Sequence, residues 1–356
     1  MRAVTYTCLS LSFWLAGCAG PATPFGAIDG FSSRVKEAMT SLFSKSAPHP
    51  AIQFSPERQF LHGATPFSIT IEDMQGIPED AGLALVFNGE DVTKQFLRKA
   101  ERLYSDPLHR RLKLTIRNLR LLPDRENKIY VVYRRDEKSP AIVSQYLPPS
   151  CSAFETVREL ASIPLFDPAP GVLKSINRFA NERQFNPYFV AGLIAQESSF
   201  DPLALSRSKA MGLTQITALG EGEVIKRFSD WPRHPEVNEM SLVSLRLAIL
   251  RGKINSANEW RLNPELSIRG GVEYLSYLMD YWGKPEKRAQ VEKNLGISDL
   301  ALSEVMLASY NSGAWRVSSA LERRGADWLA DSSLNEARKY VRRVTSYCDH
   351  FAGEGR

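Results

Sequence analysis

The spacing of apolar residues changes once along this 356-residue chain, at "SQYLPPSC" (Ser144–Cys151), and that change sets what the chain can fold into. Upstream, over about 56–147, apolar residues recur with a period of two, as in strands with one buried face. Phe67, Ile69 and Ile71 alternate in "FSITI", and Leu112, Leu114 and Ile116 in "LKLTI". "KIYVVYRR" reads as a further strand, and Asn88-Gly89 after the apolar run "LALVF" is a turn signal. Together they predict a small antiparallel β-sandwich, immunoglobulin-like in size but without the Cys–Trp–Cys pattern of a true immunoglobulin domain. Downstream the period becomes helical in "GVLKSINRFANERQF", "NPELSIRGGVEYLSYLMDYW", "ISDLALSEVMLASYNSGAW" and "LNEARKYVRRVTSYCDHF". Residues 152–356 therefore read as one mainly α domain, and the chain is long enough for two separate cores.

The N-terminus has its own logic. "MRAVTYTCLSLSFWLAGC" carries one basic residue, a short apolar core and small residues before Cys18. It resembles a bacterial lipoprotein signal, with "LAGC" similar to the lipobox, and is set apart from the fold. The resemblance implies that residues 1–17 are removed and that Cys18 takes lipid. Ala19 after that cysteine resembles outer-membrane sorting, which points to an exported lipoprotein on the periplasmic face of the outer membrane. Residues 18–55, rich in Pro, Gly, Ser and Ala, read as a tether. Within it "FSSRVKEAMTSLF" has helical spacing and is either a short surface helix or part of the linker. Of the four cysteines, Cys151 and Cys348 then remain, flanking the α domain. In an oxidising compartment they are candidates for a disulfide; the alternative is two unrelated thiols.

A formal net charge of +5 gives weak attraction for an anionic polymer or membrane surface. No dense basic run or recognised motif points to nucleic acid. The five histidines lack ligand-like spacing, and no metal or cofactor is expected.

One glutamate stands out. In "NPYFVAGLIAQESSF", Asn186 is a natural N-cap and Pro187 suits the first helical position. At about 100° per residue, Val190, Leu193, Ile194 and Glu197 share one stripe, so the carboxylate continues an apolar face. Desolvation and the negative end of the helix both disfavour its charged form and raise its pKa. A carboxylic acid that keeps its proton near neutrality is what cleavage of a glycosidic bond needs. A helix-end glutamate that caps a neighbouring group is the commoner explanation for such a residue taken alone.

Its surroundings favour the first reading. "ESSF", "GLTQ" and "SYNSG" follow in that order, with "NPYFVAGLIAQESSFDPLA", "NPELSIRGGVEYLSYLM" and "EARKYVRRV" around them. Over roughly 165–350 the chain resembles lytic transglycosylases of the soluble-transglycosylase (SLT) type, which have a goose-lysozyme-like helical core. The resemblance implies a lysozyme-like α domain that cleaves peptidoglycan glycan strands without a cofactor. It implies Glu197 as the single catalytic acid/base, Ser198 as a sugar contact and Gln215 as a glycan hydrogen-bonding group. Tyr310 and Asn311 would line the site, with Tyr310 near the Glu197 carboxyl group.

The chain departs from that family at several positions. Thr214 stands where methionine is usual, Lys209 in "SRSKAMG" where glycine is common, and Ser309 where alanine is usual. About 45 residues separate "GLTQIT" from "NPELS", more than in compact members. That insertion reads either as a groove wall built from Trp231, Arg233 or Trp260, or as structure packed outside the groove. Two other functions stay open: a hydrolytic muramidase on the same fold, with Asp201 the nearest carboxylate in sequence, and a non-catalytic wall-binding lipoprotein. In the last of these the β domain would do the work, through an unidentified protein partner.

Overall fold

The computed structural model describes residues 50–56, 66–104, 109–117, 128–147, 149–155, 159–163 and 165–354. Cys18, the signal segment and most of the tether lie outside the described residues. Two four-stranded antiparallel sheets come first. One has β1 (Ala51–Ser55), β2 (Phe67–Glu72), β6 (Arg111–Ile116) and β5 (Glu101–Tyr104) as neighbours in that order. The other runs β4 (Glu90–Asp91), β3 (Gly82–Phe87), β7 (Ile129–Arg134), β8 (Ile142–Tyr146).

The predicted alternation sets the register. Phe67 faces Ile116, Ile69 faces Leu114 and Ile71 faces Leu112 across β2 and β6, and all six are buried. Leu83, Leu85, Ile129, Val131 and Tyr133 of the second sheet share the same core. Such apolar cross-strand pairs are the unit of sheet stability, and a one-residue slip would turn every one of them to water. Asn88 and Gly89 both have positive φ, 51° and 88°, and close the β3–β4 hairpin as a two-residue turn. Asp73 is fully buried, but it accepts from the Tyr133 hydroxyl at 2.8 Å and from Arg135 Nε at 2.9 Å. Burial alone would raise its pKa; the Arg135 and Tyr133 bonds outweigh it and hold the carboxyl below its usual value. The all-strand reading of this part needs one correction. Thr93–Lys99 forms a helix, α1, whose Phe96 packs into the sheet core.

The helical part comprises α2 (Pro170–Glu182), α3 (Pro187–Ser198), α4 (Ala218–Val224), α5 (Leu242–Leu250), α6 (Pro264–Gly283), α7 (Pro285–Leu295), α8 (Asp299–Ser312), α9 (Ala314–Arg324) and α10 (Asn335–Glu354). Helix α3 starts as its sequence dictates: the Asn186 side chain accepts from Tyr188 N at 2.9 Å, and Pro187 follows in the first turn. The one-stripe picture of α3 needs correction, however. Every residue from Pro187 to Ala195 is buried, so this is a central helix walled on all sides. Helix α10 lies directly against it at Gly192, where a Cβ would stand 2.8 Å from the Val344 carbonyl oxygen.

A disulfide joins Cys151 to Cys348 across 197 positions, with Cα atoms 6.0 Å apart, and ties the entry of the helical part to its last helix. Removing a cross-link over so long a loop costs about 2–5 kcal/mol. Denaturant unfolding of the Cys151→Ser/Cys348→Ser protein should show that loss as a lower midpoint.

The insertion belongs to the core. Trp260 is fully buried and Trp231 nearly so, their rings 5.1 Å apart, and Phe228 stacks on Trp231 at 4.3 Å. Leu245, Ala248 and Ile249 of α5 pack with Met211, Val237, Ile254 and Leu262. Arg261, itself buried, binds Glu259 through Nε at 2.7 Å and Glu221 through Nη1 at 3.3 Å, tying the end of the insertion back to its first helix, α4. The two tryptophans are therefore structural; Arg233 alone of the three proposed wall residues is exposed, on a pocket of about 480 Å³.

Candidate active site

Glu197 is the penultimate residue of helix α3. Immediately after the helix the chain leaves helical geometry through two consecutive left-handed residues, Ser199 (φ 52°) and Phe200 (φ 63°). For a residue as bulky as phenylalanine that conformation is rare and persists only where packing enforces it. Phe200 supplies such packing by burying its ring against Phe166 at 5.3 Å. The sharp exit sends residues 201–216 back across the end of α3. This loop is pinned by Gly212 N donating to Ala204 O at 2.9 Å and by bridges from Met211 to Leu205 and Ile216. Lys209 occupies the left-handed region at φ 61°, which accounts for glycine being usual there.

Glu197 is partly accessible, yet its carboxyl is pushed up to about 7, chiefly by burial. The Tyr340 hydroxyl donates to Glu197 Oε1 at 2.6 Å and pulls in the other direction, favouring the carboxylate; the charge of Glu336 adds a smaller upward push. With Oε1 engaged as acceptor, Oε2 is the oxygen left to carry the proton. Burial keeps the phenols of Tyr310 and Tyr340 protonated, with pKa values well above the ordinary tyrosine value, and the Glu197 charge adds to the effect. Tyr310 donates to Thr214 O at 2.8 Å and meets Tyr274 edge-on at 5.2 Å.

Each residue singled out from sequence has a definite place. Ser198 is buried and its hydroxyl donates inward, to Leu213 O at 2.8 Å with Ile194 O at 3.2 Å. It joins helix to loop. Gln215, in the left-handed region at φ 48°, commits its amide nitrogen to Ala204 O at 3.0 Å and Gly212 O at 2.9 Å. Its amide oxygen is the group left to meet a ligand. Asn311 is half-buried beside Tyr310 and accepts from Ser312 Oγ at 3.0 Å. Thr214 buries its side chain, donating to Ser267 O at 2.8 Å and lying against Gly271, while its carbonyl serves Tyr310. Ser309 is more than a small filler: its hydroxyl accepts from the Trp282 indole at 3.0 Å. Asp201 is exposed and caps its own loop through Leu203 N at 2.9 Å.

Sequence reasoning missed Tyr340. It sits in the buried stripe Ala337, Tyr340, Val341, Val344, Cys348 of α10 and reads there as an ordinary core tyrosine. Phenylalanine at 340 removes the bond that favours the carboxylate, so the Glu197 pKa rises above about 7. The alkaline limb of any activity that needs the acid form should then move up by about one pH unit, given the strength of a hydrogen bond to a charged group. A tyrosine that only filled space would leave the limb in place.

Chemically, the arrangement is a lone desolvated carboxylic acid, ordered by one phenol and flanked by a second. Among the described residues no cluster of His, Cys, Asp and Glu is set to hold a metal ion. Residues 174–329 match the family model described as "Transglycosylase SLT domain". Over 93 residues the chain is 31% identical to the endo-type membrane-bound lytic murein transglycosylase A of Cronobacter sakazakii and 29% identical to that of an Enterobacter species. Each match takes in 26% of this chain and 36% of the relative, so the chain spans little more than a third of the length of these curated relatives. Among solved structures, the 70 kDa soluble lytic transglycosylase of Escherichia coli aligns with 51% of this chain and 24% of its own, at 22% identity and a TM-score of 0.34.

Proposed function

The chain carries a transglycosylase SLT domain, and from that premise we propose that it is a peptidoglycan lytic transglycosylase. It would cleave the β-1,4 bond between N-acetylmuramic acid and N-acetylglucosamine. The observation that carries this reading is the Glu197 carboxyl, pushed up to about 7 by burial, with Tyr340 holding one of its oxygens. A group with that pKa gives and regains a proton near neutrality with little penalty in either direction.

Glu197 protonates the oxygen that leaves the N-acetylmuramic acid C1, and the sugar's own N-acetyl group stabilises the developing cation. The resulting carboxylate, still bonded to Tyr340, takes the proton of the C6 hydroxyl as that oxygen attacks C1. The product is a 1,6-anhydro sugar. Because nucleophile and electrophile share one ring, the effective molarity is high and no activated water is required. Gln215 through its amide oxygen, and Asn311 beside Tyr310, bind the glycan; Ser198 supports the site from beneath.

The mature protein is held at the periplasmic face of the outer membrane by lipid on Cys18. The two sheets form an immunoglobulin-like sandwich over 56–147 that positions the enzyme or contacts a protein partner. Among the described residues no helix is long and apolar enough to cross a membrane.

Purified sacculi treated with the protein should release muropeptides one water lighter than reducing ones by mass spectrometry. Reducing products would instead establish a hydrolase. In that case Glu336, the other carboxylate whose charge acts on Glu197, is the residue to replace first. Under the transglycosylase reading Glu336→Gln leaves product type and most activity intact.

A further inference from the structure

Helix α5 (Leu242–Leu250) presents two opposed apolar faces. Leu245, Ala248 and Ile249 point inward and are buried. Val243, Leu247 and Leu250 point outward and are 70%, 45% and 73% exposed. Single exposed aliphatics are ordinary on a protein surface; three on one stripe of one helix are not. The stripe follows helical spacing with two cations on it: Val243, Arg246, Leu247, Leu250 and Arg251 stand at i, i+3, i+4, i+7 and i+8. All five are exposed, as is Lys253 just beyond the helix end.

Charge along this helix has one sign, and the exposed Glu236 and Glu239 precede it. From Ser241 to Asn258 the sequence contains no Asp or Glu. Arg246, Arg251 and Lys253 have no carboxylate partner among the described residues, as is also true of Arg207, Arg233 and Arg316. An aliphatic stripe interleaved and edged with unpaired cations suits a surface that is negative at its boundary and apolar just below it. A protein partner would have to present both features, and an anionic polysaccharide offers no apolar layer to hold the leucines.

We propose that this face of α5 docks on an anionic lipid bilayer. The helix lies flat, Val243, Leu247 and Leu250 enter the headgroup–acyl boundary, and Arg246, Arg251 and Lys253 meet lipid phosphates. This contact is independent of the glycan chemistry at Glu197 and of any acyl chain on Cys18. It would hold the catalytic part itself against the membrane.

The test is hydrogen exchange by mass spectrometry on the full chain, with vesicles of phosphatidylcholine alone and of phosphatidylcholine mixed equally with phosphatidylglycerol. The expected result is slowed exchange over 242–253 with the anionic vesicles only, reversed by high salt. Near such a surface each cation contributes about fivefold to docking, so Arg246→Gln/Arg251→Gln should lower the docked-to-free ratio on the order of 25-fold. Val243→Ser/Leu247→Ser/Leu250→Ser, whose side chains are outside the core, should abolish protection with the circular dichroism spectrum unchanged. Equal protection on both vesicle types, or none, would overturn the proposal. So would protection that appears without lipid as protein concentration rises, which would assign the face to a second copy of this chain. Protection by sacculi but not by vesicles would reassign it to the wall polymer.

Discussion

Glu197→Gln should lower the release of anhydro-muropeptides from sacculi by about three orders of magnitude or more, while the protein stays folded. A positioned general acid contributes about 10²–10⁴-fold, and in the proposed mechanism the same carboxyl serves both proton transfers. Stability should move the other way. The Glu197 carboxyl titrates near 7 in the folded protein and near 4.5 when solvated, so between those values the folded state holds a proton that the unfolded chain has released. Stability therefore falls as pH rises through that window, by no more than about 3 kcal/mol from this group. Glutamine removes the titration and can still accept from Tyr340. The variant should match the parent below about pH 4.5 and exceed it in thermal midpoint above pH 7. Equal midpoints at both ends would show that the carboxyl is not desolvated. The parent's kcat/KM should decline tenfold per pH unit above about 7, as the acid form is lost.

Gly212→Ala should be the most damaging glycine-to-alanine change among the described residues. Gly212 sits at φ 75°, and a Cβ there would run into the carbonyl oxygen of Arg261, which is backbone and cannot rotate away. Left-handed strain of about 1–2 kcal/mol adds to overpacking of about 1–3 kcal/mol or more. The loop next to it places Leu213 O for Ser198, Thr214 O for Tyr310 and Gln215 itself. Activity should be lost along with roughly 2–5 kcal/mol of stability, read as a lower denaturant midpoint. A variant that is stable but inactive would mean the loop shifted without unfolding. A variant stable and fully active would contradict the close contact with Arg261.

The sequence made the strand register legible because the alternation of Phe67, Ile69 and Ile71 can face only one way once a core forms. Local chemistry was equally plain at the start of α3, where Asn186 has a backbone donor two residues away. Glu197 was legible for a partly different reason from the one its stripe suggested: its helix is buried all round, and the end of that helix is where a carboxyl can be both dry and reachable. What sequence hid was direction. The hydroxyls of Ser198, Thr214, Ser309 and Tyr340 each find a partner at least fifteen positions away, and no local pattern records which. Trp231 and Trp260 looked equally fit for a sugar groove or a core, since an indole serves both; only packing against Phe228 and each other settles that they are interior. The apolar run of α5 gave no periodic signal because both of its faces carry aliphatics.

Glu197 and its phenol partner stand 143 positions apart, and a ribosome makes them in that order. Until the 20-residue helix Asn335–Glu354 has been synthesised and laid against α3, the glutamate lacks its phenol partner and the packing that this helix supplies. The acid and the group that orders it are thus set by opposite ends of the helical part, so the bond between them forms only when α10 has docked on α3.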